Sequence, residues 1–314
     1  MRALFHYAAS PGLADHLAGL DGAAPKVSIC PEADDALLFR LLPETDVLWH
    51  VLKPATAQVL DAAPRLRLVQ KWGVGVNTID LERCKALGIA VCNMPGSNTT
   101  AVAEAALALM LAALRRIGPF DRAMRAGRGW AFQPQDFDRV GEVAGRTVGI
   151  VGYGAVGQRL AGAVAGLGAR VLYTARSRKP GALGEWRDLD ALLAQADIVS
   201  LHLPLTPETA KLLSAERIGR MKPGAILVNA ARGGLVDEPA LVAALRSGQL
   251  MAAGLDVFAE EPVDPANPLL ALDNVVLLPH IAWLTPETLA RSLVIALENC
   301  RRLAAGEALL HRVV

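Results

Sequence analysis

The stretch Val148-Gly149-Ile150-Val151-Gly152-Tyr153-Gly154-Ala155-Val156-Gly157 runs an apolar strand into a GxGxxG turn. Each glycine has its own physical use. Gly152 permits a tight turn, Gly154 lets a pyrophosphate approach the backbone, and Gly157 lets the next helix pack closely on its sheet. Tyr153, Ala155 and Val156 fill the positions between them. The pattern alone is weak. Here it follows a strand, opens an Ala/Leu-rich helix and precedes a second strand at the right distance, which points to a dinucleotide. That second strand ends Leu172-Tyr173-Thr174-Ala175-Arg176-Ser177-Arg178. An NAD site usually carries an acid there for the ribose hydroxyls, and Ala175 stands in its place. Arg176, Ser177 and Arg178 supply donors that suit an adenosine 2′-phosphate, so NADP is the expected cofactor, with NAD as the alternative. Arg176 is the first choice of reader because it follows the acid's position directly, leaving Arg178 to point to solvent.

Elements of the right kind surround this turn. Apolar runs near Ala3–Tyr7, Val27–Cys30, Val47–Leu52, Leu66–Lys71 and Ile89–Cys92 read as strands between Ala/Leu-rich helical segments and Gly/Pro turns. That alternation indicates a parallel sheet with helices on both faces. A long apolar helix starts near Ala101 after the capping cluster Ser97-Asn98-Thr99-Thr100 and is expected to end near Gly118-Pro119. A loose segment from Gly127 to Gly145 follows and carries Trp130 and Phe132. A second strand–helix series then runs through Thr147–Gly152, Val171–Thr174, Ile198–His202, Ala225–Asn229, Ala252–Leu255 and Val275–Leu278, six strands as a dinucleotide-binding domain requires. The expected division places a substrate domain at 1–98 and 287–314 and a dinucleotide-binding domain at 99–286. The helix from Pro286 crosses back to the first domain.

Bulk properties narrow the classes of function. The 314 residues fit two domains, and 53% hydrophobic content is ample for two cores. A net charge of +1 argues against a nucleic-acid or anionic-membrane surface. Cys30, Cys84, Cys92 and Cys300 stand far apart, without CxxC spacing or a Cys/His cluster, so reduced thiols in a cytoplasmic protein and no metal are expected. The Ala101–Leu114 stretch carries Glu104 and is shorter than the roughly 20 apolar residues a membrane span needs. No secretory signal is expected at the N-terminus.

Further stretches stand in order along the chain: Lys71-Trp72-Gly73-Val74-Gly75-Val76-Asn77, His202-Leu203-Pro204-Leu205-Thr206-Pro207-Glu208-Thr209, Asn229-Ala230-Ala231-Arg232-Gly233-Gly234, Gly254-Leu255-Asp256-Val257-Phe258, Glu261-Pro262 and Pro279-His280. With the glycine turn they resemble the D-isomer-specific 2-hydroxyacid dehydrogenases over nearly the whole chain. The resemblance implies two doubly wound parallel-sheet α/β domains, a Rossmann cofactor domain and a flavodoxin-like catalytic domain, with the active site in the cleft between them. It implies a homodimer built on the helix from Ala101 and the segment around Trp130. It also implies a catalytic set of Arg232, Glu261 and His280.

The chemistry of these residue types fits independently. A planar guanidinium at Arg232 holds the carboxylate and carbonyl of a 2-keto acid. His280, as imidazolium, protonates the carbonyl oxygen as hydride arrives at carbon. Glu261 takes the other ring nitrogen and favours the charged form. Singly, each has a plainer role: a surface ion pair, a solvated loop acid, a core histidine. Together at strand C-terminal ends they read as catalytic. Glu261 is preferred to Glu260 because the family's acid directly precedes proline.

The resemblance further assigns the backbone N–H groups of Val74 and Gly75 to the substrate carboxylate and Asp256 to the nicotinamide carboxamide, a turn aspartate being the alternative. It places Leu203, Pro204, Thr209 and Ala230 along the cofactor. After His280 the chain has Ala282-Trp283 where many members have Gly-Ser, which is similar to the branch holding glyoxylate and hydroxypyruvate reductases. Trp283 then either walls the pocket or packs in the core. Lys71 is either a second anion contact or a solvated lysine, and His50 and Lys53 are loop residues near the mouth. The implied activity is reduction of glyoxylate or hydroxypyruvate to the D-2-hydroxy acid. Other 2-keto acids, sugar-derived or related to 3-phosphoglycerate, remain open, as does a nucleotide-sensing protein of the same fold. The short stretch after the last helix leaves no appended regulatory domain to expect.

Overall fold

The computed structural model describes residues 1–22, 24–130 and 138–314; Phe132 lies outside the described residues. The chain divides into two compact units, Met1–Asn98 with Thr285–Val314, and Thr99–Leu284.

The first unit alternates β1 (Arg2–His6), α1 (Pro11–Ala18), β2 (Lys26–Cys30), α2 (Asp35–Leu41), β3 (Val47–His50), α3 (Ala57–Asp61), β4 (Leu68–Lys71), α4 (Leu81–Ala86) and β5 (Ala90–Cys92). Its five strands are parallel in the order β2-β1-β3-β4-β5, the doubly wound flavodoxin-like order. Strands β3 and β4 are buried at every residue, as a parallel sheet covered on both faces requires. Carboxylates cap α2 and α4: Asp34 accepts the N–H of Leu37, and Asp80 that of Arg83.

The second unit opens with α5 (Thr99–Leu114) and α6 (Ile117–Arg125). It continues through β6 (Thr147–Val151), α7 (Ala155–Gly166), β7 (Arg170–Thr174), β8 (Glu185–Trp186), α8 (Leu189–Gln195), β9 (Ile198–Leu201), α9 (Ala215–Arg220), β10 (Ala225–Asn229), α10 (Glu238–Ser247), β11 (Leu250–Leu255) and β12 (Val275–Leu277). The sheet order is β12-β11-β10-β9-β6-β7-β8, all parallel, with the order reversing at β6. Helix α5 lies close on β11, where a Cβ added to Gly254 would fall 2.8 Å from the Cβ of Leu109.

Two features depart from the expectations above. The apolar helix stops at Leu114, where Arg116 takes a left-handed conformation (φ 51°), and α6 runs through Gly118-Pro119. Proline is tolerated there because the first N–H groups of a helix have no intrahelical acceptor. The sheet also gains a seventh strand, β8, two residues long and too short to show a period.

The last helix, α11 (Pro286–Ala305), returns the chain to the first unit. Asn299 Nδ2 donates to Gln70 Oε1 at 2.7 Å and to the Leu310 carbonyl at 3.1 Å, while its Oδ1 accepts the Leu310 N–H at 2.7 Å. Gln70 Nε2 donates to the carbonyls of Lys71 and Cys92. Both side chains are fully buried. Asn299→Ala leaves Gln70 Oε1 and the Leu310 N–H without their partner, at a cost of about 2–4 kcal/mol. The expected loss is read as a lower denaturant midpoint at unchanged m-value.

Candidate active site

Beyond the paired ends of β10 and β11, the loops that follow the two strands approach closely at Gly233 and Phe258. A Cβ on Gly233 would collide with the Phe258 carbonyl, so only glycine permits the approach. Arg232, just before it, is held from below by Asn229. The Asn229 amide donates to the Arg232 carbonyl at 2.9 Å and accepts the Ala231 N–H at 3.0 Å. The Arg232 guanidinium is half-buried and donates to the Ala231 carbonyl at 2.6 Å. Burial pulls its pKa down and Glu261 opposes that shift; an arginine remains charged at any working pH.

Glu261 shares its carboxylate between two partners. Oε1 accepts the Phe258 N–H at 2.9 Å, and Oε2 lies 2.6 Å from His280 Nδ1. Burial alone pushes this carboxyl up, but the bond and charge of His280, the Phe258 N–H and Arg232 outweigh it and hold it below the ordinary range. The pair thus leaves Nε2 as the ring atom available for proton delivery.

His280 has φ 56°, a left-handed conformation uncommon outside glycine. Its neighbours impose that shape. The Asp256 carbonyl accepts the His280 N–H at 2.8 Å, and the Asp256 carboxylate accepts the N–H groups of Ile281 and Ala282 at 2.8 and 3.0 Å. Trp283 is buried, and its indole N–H donates to the His280 carbonyl at 3.0 Å. Burial pushes the Asp256 carboxyl up, against its two backbone donors. The structure thus gives Asp256 the turn-aspartate role and Trp283 the buried role that the sequence left open as alternatives, with backbone groups as their partners.

The glycine turn lies at the C-terminal end of β6. A Cβ on Gly152 (φ 100°) would collide with the His202 carbonyl, and one on Gly157 with the Gly152 carbonyl. A Cβ on Gly154 would meet nothing within 4 Å, and α7 starts there without a side-chain cap. Close packing at two glycines and open space over an uncapped helix start form a cradle that fits a pyrophosphate. Ala155 and Val156 open α7, and Leu203 abuts Gly152. Thr209 Oγ1 donates to the Pro204 carbonyl and accepts the Thr206 N–H, both at 2.8 Å, closing the 204–209 turn. Ala230 is buried beyond β10. Ala175, Arg176, Ser177 and Arg178 follow β7, the three after Ala175 exposed.

In the first unit, Lys71 ends β4 and is buried rather than solvated; its ammonium donates to the Val51 carbonyl and lies 3.4 Å from His50 Nδ1. His50 is no loop residue but the buried end of β3, driven well below its ordinary pKa by burial and then by Lys71. His6 is lowered to about 4 by burial and Lys53. Lys53 itself is tied to Asp35 at 2.6 Å and to the Glu32 carbonyl at 2.8 Å. Val74 is exposed, and among the described residues the N–H groups of Val74 and Gly75 have no protein acceptor.

A Rossmann sheet with its glycine turn, and an arginine beside a carboxylate–imidazole pair at the same strand ends, define a nicotinamide-dependent oxidoreductase. Comparison with known proteins agrees. The pattern of the D-isomer specific 2-hydroxyacid dehydrogenase NAD binding domain matches residues 107–282. A glyoxylate reductase of Aeropyrum pernix is 45% identical over 273 residues, 84% of this chain and 81% of the relative. A D-3-phosphoglycerate dehydrogenase of Mycobacterium leprae is 44% identical over 281 residues, 87% of this chain. The chain spans about half the length of that relative, 52%. The crystal structure of an NADPH-dependent glyoxylate/hydroxypyruvate reductase from Sinorhizobium meliloti, in complex with NADP and malonate, superposes with a TM-score of 0.84. It is 29% identical and covers 100% of this chain and 96% of its own. The chain belongs to the D-isomer specific 2-hydroxyacid dehydrogenase family.

Proposed function

We propose that this protein reduces a small 2-keto acid, glyoxylate or hydroxypyruvate, to the D-2-hydroxy acid with NADPH. The carrying observation is the 2.6 Å contact of Glu261 with His280 Nδ1 on the unit that holds Arg232. The bound nicotinamide supplies the hydride. Arg232 grips the substrate carboxylate and polarises the carbonyl. His280 Nε2 delivers the proton to the carbonyl oxygen, and Glu261 stabilises the imidazolium that does so. The N–H groups of Val74 and Gly75 serve the carboxylate. Lys71, buried on the Val51 carbonyl, adds charge near that loop, and Trp283 acts by bracing His280. Asp256 keeps acceptor capacity for a carboxamide beyond its two backbone donors. The similarity to the Mycobacterium leprae enzyme favours a second reading, a substrate related to 3-phosphoglycerate, and a panel containing it and the two keto acids decides between them.

The same reading includes residues 1–98 and 287–314 as the substrate domain, 99–286 as the dinucleotide domain, and a cytoplasmic location. The last is supported by four free, buried cysteines. Among the described residues no helix is long and apolar enough to cross a membrane.

His280→Ala is expected to lower turnover by about 10²- to 10⁴-fold, since no other group delivers the proton; near-normal turnover defeats the mechanism. Glu261 is held ionised across neutral and mildly acid pH. Glu261→Gln removes the carboxylate that holds His280 Nδ1, so kcat for keto-acid reduction should fall while the cofactor KM changes little, as steady-state kinetics reads.

With no acid at Ala175 and two arginines behind it, kcat/KM should favour NADPH over NADH by about tenfold or more, from one charge-assisted hydrogen bond. Equal values at saturating keto acid refute the preference.

Assembly as a homodimer through the surface around α5 and α6 is supported by exposed Ile117, Met124 and Trp130, the last 85% exposed. Light scattering at micromolar concentration should give twice the chain mass, and Trp130→Glu should shift it toward the monomer.

A further inference from the structure

The turn after β7 is organised by aromatic rings that the glycine motif does not require. Tyr153, inside that motif, stacks on Tyr173 of β7, with centroids 4.2 Å apart and planes at 33°. The Tyr153 hydroxyl donates to the Leu183 carbonyl at 2.7 Å, and the Tyr173 hydroxyl accepts the Lys179 N–H at 2.9 Å. Strand β8 then sets Trp186 in register beside Tyr173. The Trp186 indole N–H donates to the Ala175 carbonyl at 3.3 Å, and its face carries the Arg178 guanidinium 5.2 Å from the ring centroid. One side chain therefore touches both the position where an NAD site keeps its acid and one of the two arginines that follow.

The surrounding charges leave this arrangement undisturbed. Glu185, next to Trp186, is engaged by Arg170 at 2.9 Å and by Arg187 at 2.6 Å. Its charge is thereby neutralised and does not draw Arg178 off the ring. A guanidinium on an aromatic face keeps its in-plane N–H donors free for an anion, and it enters binding with less rotamer freedom to lose.

We propose that Trp186 is a positioning residue for cofactor specificity: it presents Arg178, rather than Arg176, as a fixed guanidinium to the adenosine 2′-phosphate. The inference rests on the NADP reading above and adds to it the residue that sets the preference and the residue that holds it. Arg178 does not point freely to solvent, as its sequence position suggests, but lies over a ring from the neighbouring strand.

Titration calorimetry on the whole protein with adenosine 2′,5′-bisphosphate and adenosine 5′-monophosphate tests this without turnover. Trp186→Leu should weaken the bisphosphate about fivefold and leave the monophosphate unchanged, and Trp186→Phe should restore most of the loss by keeping an aromatic face. Arg178→Gln should remove about tenfold of bisphosphate affinity, and Arg176→Gln less. Equal weakening of both ligands in Trp186→Leu marks a structural role and overturns the inference. So does discrimination kept in Arg178→Gln but lost in Arg176→Gln. If Trp186→Leu does not fold, the two arginine variants and Trp186→Phe decide. A wild type that binds both ligands equally overturns the NADP reading itself, before any Trp186 variant is consulted. A discriminating wild type with an unchanged Trp186→Leu overturns only the role of Trp186.

Discussion

The contact between Glu261 and His280 places a carboxylate in a partly buried setting, where an unpaired charge is costly. Everything around it works to keep that charge paired. The Phe258 N–H takes one oxygen and the imidazole takes the other. Arg232 adds its field from the end of the neighbouring strand. That field reaches Glu261 because Gly233 lets the β10 loop touch the backbone at Phe258. The ring stays in place because Asp256 and Trp283 hold the backbone around His280 in a left-handed shape that it would not otherwise favour. A short hydrogen bond thus depends on a glycine, a buried acid and a buried indole, none of which joins it directly.

Parallel strand order explains why residues far apart in sequence meet. In a doubly wound sheet every strand delivers its last residue to the same edge, and the reversal of order opens a crevice there. The glycine turn follows β6 at that reversal, and Arg232, Glu261 and His280 follow the C-terminal ends of β10, β11 and β12. The first unit uses the same rule, with His6, His50 and Lys71 ending β1, β3 and β4. Its burial of that basic group forces the two histidines to stay neutral.

The strands were legible because buried parallel strands read as short apolar runs, as Val47–His50 and Ala225–Asn229 show. The glycine turn was legible because each glycine answers a local steric demand, whereas Arg232, Glu261 and His280 were singled out by the family resemblance of their motifs, each type alone allowing a plainer role. What stayed hidden depends on tertiary partners. Gly118-Pro119 looked like a stop and proved to be the first turn of α6. Trp186 sits in a polar stretch on a two-residue strand, so neither period nor composition marks it. Lys71 looked solvated or substrate-facing, and its burial on the Val51 carbonyl depends on β3 lying beside β4. Asp256 and Trp283 were offered turn and core roles beside the functional ones, but which backbone N–H and carbonyl groups they grip depends on the fold.

The return of the chain to the first unit has a consequence for biosynthesis. The Gln70 amide finds Asn299 only on α11, and Val91 of β5 meets Val313 and Val314. All of these late partners leave the ribosome after the whole of Thr99–Leu284. The unit that begins the chain is therefore the second to be finished. Until then it carries an edge strand and a buried amide without their complements, while the cofactor-binding unit folds to completion as a continuous stretch. Completion of the two units therefore runs opposite to the usual N-terminal-first order: all five strands of the first sheet are synthesised early, and the helix and chain end that close its buried amide and edge come last.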